Sequence, residues 1–183
     1  AELLYYDSSS TELFTVRSRA SLDGTEIADG PGNRGAYGAQ VRADDGTLYV
    51  AYRDASDTSL RIAWRVVGER WRSEEISNAA NVGEHVSMVM GPAGMLHIAY
   101  YDLSNDDALY VTGLPGAWSP SDVVYASGNS GQYTSIVIGP GGQPAIAFYR
   151  SSDTAVYLSQ RQPAGTWTTS LVDELQSVGQ YTQ

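Results

Sequence analysis

The chain has no cysteine and no lysine; all eleven of its basic Lys/Arg positions are arginine. The first absence excludes disulfides, thiol nucleophiles and thiolate-held zinc or iron–sulfur centres. The second excludes a Schiff-base lysine, a pyridoxal-phosphate anchor and the lysine of a phosphate-binding loop. Only two histidines are present, His85 and His97, too few for an all-protein imidazole cage around a metal. No apolar run comes near the roughly 18–20 residues that span a bilayer, so no membrane insertion is expected. The opening AELLYYDSSS has neither the charged start nor the apolar centre of a signal peptide, so an exported form is expected to have lost its signal already. Basic runs are missing too. A net charge of -10 and a pI near 4.4 leave no clustered arginines for a phosphate backbone, and no nucleic-acid partner is expected. What is present, 183 residues of which 42% are hydrophobic, suits one soluble domain covering 1–183.

That domain is repetitive. Gly35, Gly83, Gly131 and Gly179 recur every 48 residues, and Tyr37, His85, Tyr133 and Tyr181 each follow two residues later. The units 35–82, 83–130 and 131–178 open as GAYGAQVRADDGTLYVAYRD, GEHVSMVMGPAGMLHIAYYD and GQYTSIVIGPGGQPAIAFYR. A fourth opens as GQYTQ, and residues 1–34 match the repeat from its second strand onward, which makes a composite unit of 179–183 plus 1–34.

Inside a unit, apolar and β-branched runs of strand length alternate with Gly, Pro, Asn, Asp and Ser clusters. The unit at Gly131 reads as four strands, YTSIVIG, PAIAFYR, AVYLSQR and TWTTSLVD, with Pro140 and Pro144 at strand ends, where a missing amide donor costs little. Asp45-Gly46 reads as a tight two-residue hairpin. No segment carries a sustained 3.6-residue period. The expected fold is all-β, a β-propeller of four four-stranded blades per chain. Its ring would close by pairing of the C-terminal strand with the N-terminal blade, which also covers an open sheet edge. Because GQYTQ is short for that task, the expected state is either a monomer or a strand-swapped homodimer in which two chains complete each other's composite blades.

The run G-x-Y-x-S, a glycine turn, I-A-Y-Y-D or its variants, L-x-Y and then a Trp resembles the tandem-repeat β-propellers of bacterial secreted and cell-surface proteins. The layout is also similar to that of the tachylectin-type lectin propellers. The resemblance covers the whole chain and implies an extracellular or cell-surface location and ligand pockets in the clefts between blades. Two departures stand out: Gly24 replaces the Trp of the other units, and Arg150 replaces the Asp.

Three sets of residues are candidates for ligand binding. Tyr37, His85, Tyr133 and Tyr181 would converge near one end of the channel, where aromatic faces with polar tips suit sugar rings or peptide side chains, or where they simply plug the opening. Asp7, Asp54 and Asp102 end the second strand before Ser-rich turns; they could meet sugar hydroxyls or calcium, or cap their own turns. Trp71, Trp118 and Trp167 open the fourth strand, either as wedges between blades or as stacking platforms in inter-blade pockets. The acidic pairs Asp44-Asp45 and Asp106-Asp107 lack the alternating ligand spacing of a dedicated calcium loop.

No catalytic residue, metal site or cofactor is assigned, calcium being the one ion considered. Ser21-Leu22-Asp23-Gly24-Thr25 is the nearest approach to a sialidase turn and breaks its spacing. The expected function is a non-catalytic recognition module for a glycan or a protein surface, gaining avidity from near-identical sites on a rigid ring. The alternatives are a glycoside-processing hydrolase with its site in the channel and a structural propeller segment of a larger surface protein.

Overall fold

The alternation of β-branched and aromatic residues with turn clusters builds sixteen strands in the computed structural model, which describes residues 2–17, 25–79 and 81–174. They form four antiparallel sheets in chain order. The first holds β1 (Glu2–Asp7), β2 (Glu12–Arg17) and β3 (Thr25–Asp29). The second holds β4 (Arg34–Arg42), β5 (Leu48–Asp54), β6 (Ser59–Arg65) and β7 (Arg72–Ser77). The third holds β8 (Val82–Met90), β9 (Leu96–Asp102) and β10 (Asp107–Leu114), with β11 (Ala117–Trp118) and β12 (Asp122–Tyr125) both on β10. The fourth holds β13 (Ser130–Ile138), β14 (Pro144–Arg150), β15 (Ala155–Arg161) and β16 (Trp167–Asp173). Among the described residues there is no α-helix. The strand expected to pair with β1 and close the ring falls at 179–183, outside the described residues.

Burial on both faces of the middle strands explains why LYVAYRD and LHIAYYD are almost continuously apolar. Leu13 and Ala28 of the first sheet pack with Leu48, Val50, Tyr52 and Ala63 of the second. On the opposite face of β5, Ala51 joins Leu60 against Val82, Ile98, Tyr100, Leu109 and Val111 of the third sheet. Ala99, Ala108, Tyr110 and Val124 meet Ile136, Ile146 and Phe148 of the fourth in the same way. Trp71, Trp118 and Trp167 are partly buried, each packed against the core in front of its own sheet.

The repeat glycine is a contact point as well as a bend. Gly35, Gly83 and Gly131 hold φ of 114°, 92° and 108°. A Cβ on Gly131 would lie 2.7 Å from Ala108 Cα in the preceding sheet, so only glycine lets β13 approach.

Two local expectations are corrected. The turn after β4 is centred on Asp44 and Asp45, with Gly46 N–H bonded to Ala43 O at 2.9 Å and Gly46 itself at φ 87°. That is a three-residue hairpin ending in a left-handed glycine, in place of the two-residue Asp-Gly loop. The outer strand of the third sheet is split, because Pro120 cannot donate to β10 and interrupts the ladder between Trp118 and Asp122.

Candidate functional site

Three of the four repeat aromatics come together. The Tyr37 and His85 rings have centroids 5.0 Å apart at 55°, and His85 and Tyr133 are 4.5 Å apart at 53°. Tyr101 and Tyr149 continue the group, 6.2 Å from His85 and 6.1 Å from Tyr133. Tyr181 lies outside the described residues. The inner strands deliver these rings through a shared irregularity: β4, β8 and β13 each slip twice in register against their partners. Tyr37, His85 and Tyr133 sit within that slip at φ 56°, 50° and 52°. The left-handed region costs a non-glycine residue about 1–2 kcal/mol, so a side chain placed this way three times is a built feature of the chain.

The electrostatics at this cluster are mixed. Burial and the Glu84 charge raise the Tyr37 hydroxyl pKa, with Arg53 opposing. Arg53 Nε lies 4.0 Å from Glu84 Oε1. Burial lowers the His85 pKa, which favours the neutral ring at physiological pH. Tyr37 is 45% exposed, so the cluster meets solvent at this residue.

The sheets are also joined by a set of ties that the sequence reading missed. Asn33, Asn81 and Asn129 each accept from the preceding sheet: from Tyr6 Oη, from Arg53 Nη2 at 2.6 Å and from Tyr101 Oη at 3.1 Å. Their own carbonyls accept from Ala55, Leu103 and Ser151 in the turns of their own sheets. These asparagines recur every 48 residues, so the period that revealed the glycines and aromatics also carried this signal.

Asp7, Asp54 and Asp102 are engaged in their turns. Asp7 Oδ1 accepts from Ser9 N at 2.8 Å and from the Ser9 hydroxyl, which lowers its pKa. Asp54 accepts from Ser56 N at 2.9 Å and Arg34 Nε at 2.7 Å, and Asp102 from Ser104 N at 2.9 Å and Asn105 Nδ2 at 2.8 Å. Arg150, at the matching place in the fourth sheet, pairs with Asp153 of the same turn and brings that carboxyl down to about 2. Among the described residues no group of three or more His, Asp or Glu side chains could hold a metal ion.

The clefts between sheets are not copies of one another. Asp29, Ser77 and Tyr125 oppose Leu13, Leu60 and Ala108 at matching register positions. Asp29 meets Tyr52 Oη, Arg34 Nη1 and Arg61 Nε in the first cleft. Tyr125 stacks on Tyr157 at 5.7 Å in the third, with Arg150 Cζ 4.4 Å from the Tyr157 ring centroid. The tryptophan N–H groups differ as well: Trp118 Nε1 donates to Glu74 at 2.7 Å, while those of Trp71 and Trp167 are buried with no acceptor among the described residues.

No family model matches the chain, and no curated protein sequence matches it. Solved structures do. A mutant of the Aleuria aurantia lectin, in complex with alpha-methyl-L-fucoside, aligns over 98% of this chain with a TM-score of 0.65 at 11% identity. Another structure of the fucose-specific lectin from Aleuria aurantia aligns over 97% with a TM-score of 0.62 at 13% identity. A Dyadobacter fermentans protein of unknown function aligns over 94% with a TM-score of 0.63 at 11% identity. This chain spans 58% of each lectin chain and 56% of the Dyadobacter protein. With the four packed sheets, this likeness shows the fold: an all-β propeller.

Proposed function

We propose that this propeller is a carbohydrate-recognition module and that the aromatic cluster at the inner strands is its principal contact surface. The observation that carries the reading is the energetic position of Tyr37. Among the described residues its ring makes one close aromatic contact, worth about 0.5–1.5 kcal/mol, and its backbone conformation costs about as much. The fold gains little from an aromatic at that point, so its half-exposed face is accounted for by what reaches it from solvent. A tyrosine ring stacks on the apolar face of a sugar, while Glu84, held near Arg53, offers an acceptor for its hydroxyls. The lectin folds to which the chain is similar support a glycan ahead of a protein surface.

The dissimilar clefts reshape one expectation: near-identical sites from every repeat give way to one aromatic surface shared by successive blades, flanked by clefts of individual chemistry. A glycan-array screen of the purified chain tests the reading. Saturable binding that falls at least tenfold in Tyr37→Asn supports it; absence of binding across a broad array overturns it in favour of a protein partner.

A further inference from the structure

The outer strand of each sheet slips once in register, and the residue at the slip is apolar every time: Ala28, Ile76, Val124 and Val172. Ala28 is buried against the second sheet, Ile76 packs against the core shared with the third, and Val124, only 4% exposed, is buried against the fourth. Val172 is 59% exposed.

Other residues on that face of the fourth sheet follow suit. Ala51 and Ala99 are buried, whereas Ala147 is half-buried; Leu60 and Ala108 are buried, whereas Val156 is half-buried. Val89 packs against the core in front of the third sheet, whereas Val137, its counterpart on β13, is 57% exposed. The fourth sheet thus carries the same apolar face as the three before it, and no described sheet buries it.

The complementary face is present in the same chain. Each later sheet receives its predecessor through two positions of its middle strand: Val50 and Tyr52, Ile98 and Tyr100, Ile146 and Phe148, all fully buried. In the first sheet those places fall to Leu3 and Tyr5. Leu3 opposes Val16 and Tyr5 opposes Phe14, in the register of the Ile98–Val111 and Tyr100–Leu109 pairs of the third sheet.

We infer that the open face of the fourth sheet is an interaction surface and that its occupant is the first sheet of a second copy of this chain. The contact continues a mode of packing that the chain already makes three times, and burial of the exposed valines drives it. The chain's own first sheet does not supply the cover, since Val137 and Val172 stay exposed. A partner of different sequence would have to reproduce residue types that this first sheet already holds in register. Two copies placed head to tail satisfy both faces of both chains at once, and the four sheets of each close as one ring. Of the two expected states this selects the dimer, formed by packing of sheets.

The test is sedimentation of the whole chain over a roughly hundredfold range of concentration. A particle of twice the 19.7 kDa chain mass is expected. Val172→Arg changes a position already exposed within the chain and is expected to give a folded species of single-chain mass, with association at least a hundredfold weaker. Val137→Arg, on the inner strand of the same face, should do the same, and circular dichroism checks that both variants fold. Leu171→Arg is the control. Leu171 is 46% exposed, but its counterpart Val123 is 53% exposed even with the next sheet in place, so a charge there should leave the dimer intact. Single-chain mass at every concentration, assemblies that grow beyond two chains, a dimer that survives both valine variants, or a dimer lost equally in Leu171→Arg would each overturn the inference.

Discussion

The His85 ring stands 4.5 Å from that of Tyr133, and both residues hold a left-handed backbone on neighbouring inner strands. Contact and conformation oppose each other energetically, and the balance differs along the cluster. Tyr37 is half-exposed with one close ring neighbour among the described residues, whereas His85 sits between two rings.

Replacing Tyr37 by asparagine, which tolerates the left-handed region, removes the ring and relieves the backbone. Unfolding free energy is expected to change by less than about 1 kcal/mol, measured by urea denaturation. A loss of about 3 kcal/mol or more, the scale of an aromatic deleted from a core, would show that the ring is a structural plug.

Gly131→Ala meets two obstacles, φ 108° and Ala108 Cα at 2.7 Å. The expected loss is about 2–4 kcal/mol, since the inter-sheet approach must open. Gly116→Ala is the control: its φ is also positive, at 85°, but a Cβ there meets nothing within 4 Å, so only the backbone cost of about 1 kcal/mol is expected.

Asn81→Ala removes the acceptor for Arg53 Nη2, while Val82 O at 2.7 Å still holds Nη1. Arg53 is only 6% exposed, so a guanidinium N–H left short of an acceptor should cost about 1.5–3 kcal/mol. A melting curve for Asn81→Ala, set beside that of the exposed-site variant Ser104→Ala, checks the size.

The pH dependence follows from two imidazoles. Burial lowers the pKa of His85, and burial together with the Arg161 charge lowers that of His97, both from 6.5. A histidine depressed in the folded state binds its proton more readily when unfolded. Stability is therefore full above pH 6.5 and falls as pH drops through and below that value. Tm should be flat from pH 8 to 7 and decline towards pH 5, and His85→Gln should shrink the decline. A Tm that rises on acidification would contradict the assignment.

Much of this was legible in the sequence. The 48-residue period located the glycines, and apolar runs between turn clusters gave β14, β15 and β16 to within one residue at each end, while β13 starts at Ser130, three residues before the expected Tyr133. Register alone brought Tyr37, His85 and Tyr133 to one place. Their left-handed backbone was not legible, because the neighbouring glycines already accounted for the bend and tyrosine has no preference for that region. The asparagine ties were present in the same period but are polar and lie in loops, where repetition reads as turn chemistry. Pro120 signalled a break in the outer strand that the repeat frame obscured. The differences between clefts were open to reading too, since Asp29, Ser77 and Tyr125 occupy one repeat position, but only the contacts of Asp29 with Tyr52 and Arg61 and of Tyr125 with Tyr157 show such residues facing the next sheet.

The most direct test of the account is calorimetric titration of the best array glycan into the wild-type chain and into Tyr37→Asn under the same conditions. Glycan recognition through the inner-strand aromatics predicts saturable binding by the wild type, at least tenfold weaker binding by the variant, and melting temperatures within a few degrees of each other. Equal affinity in the two proteins would contradict it.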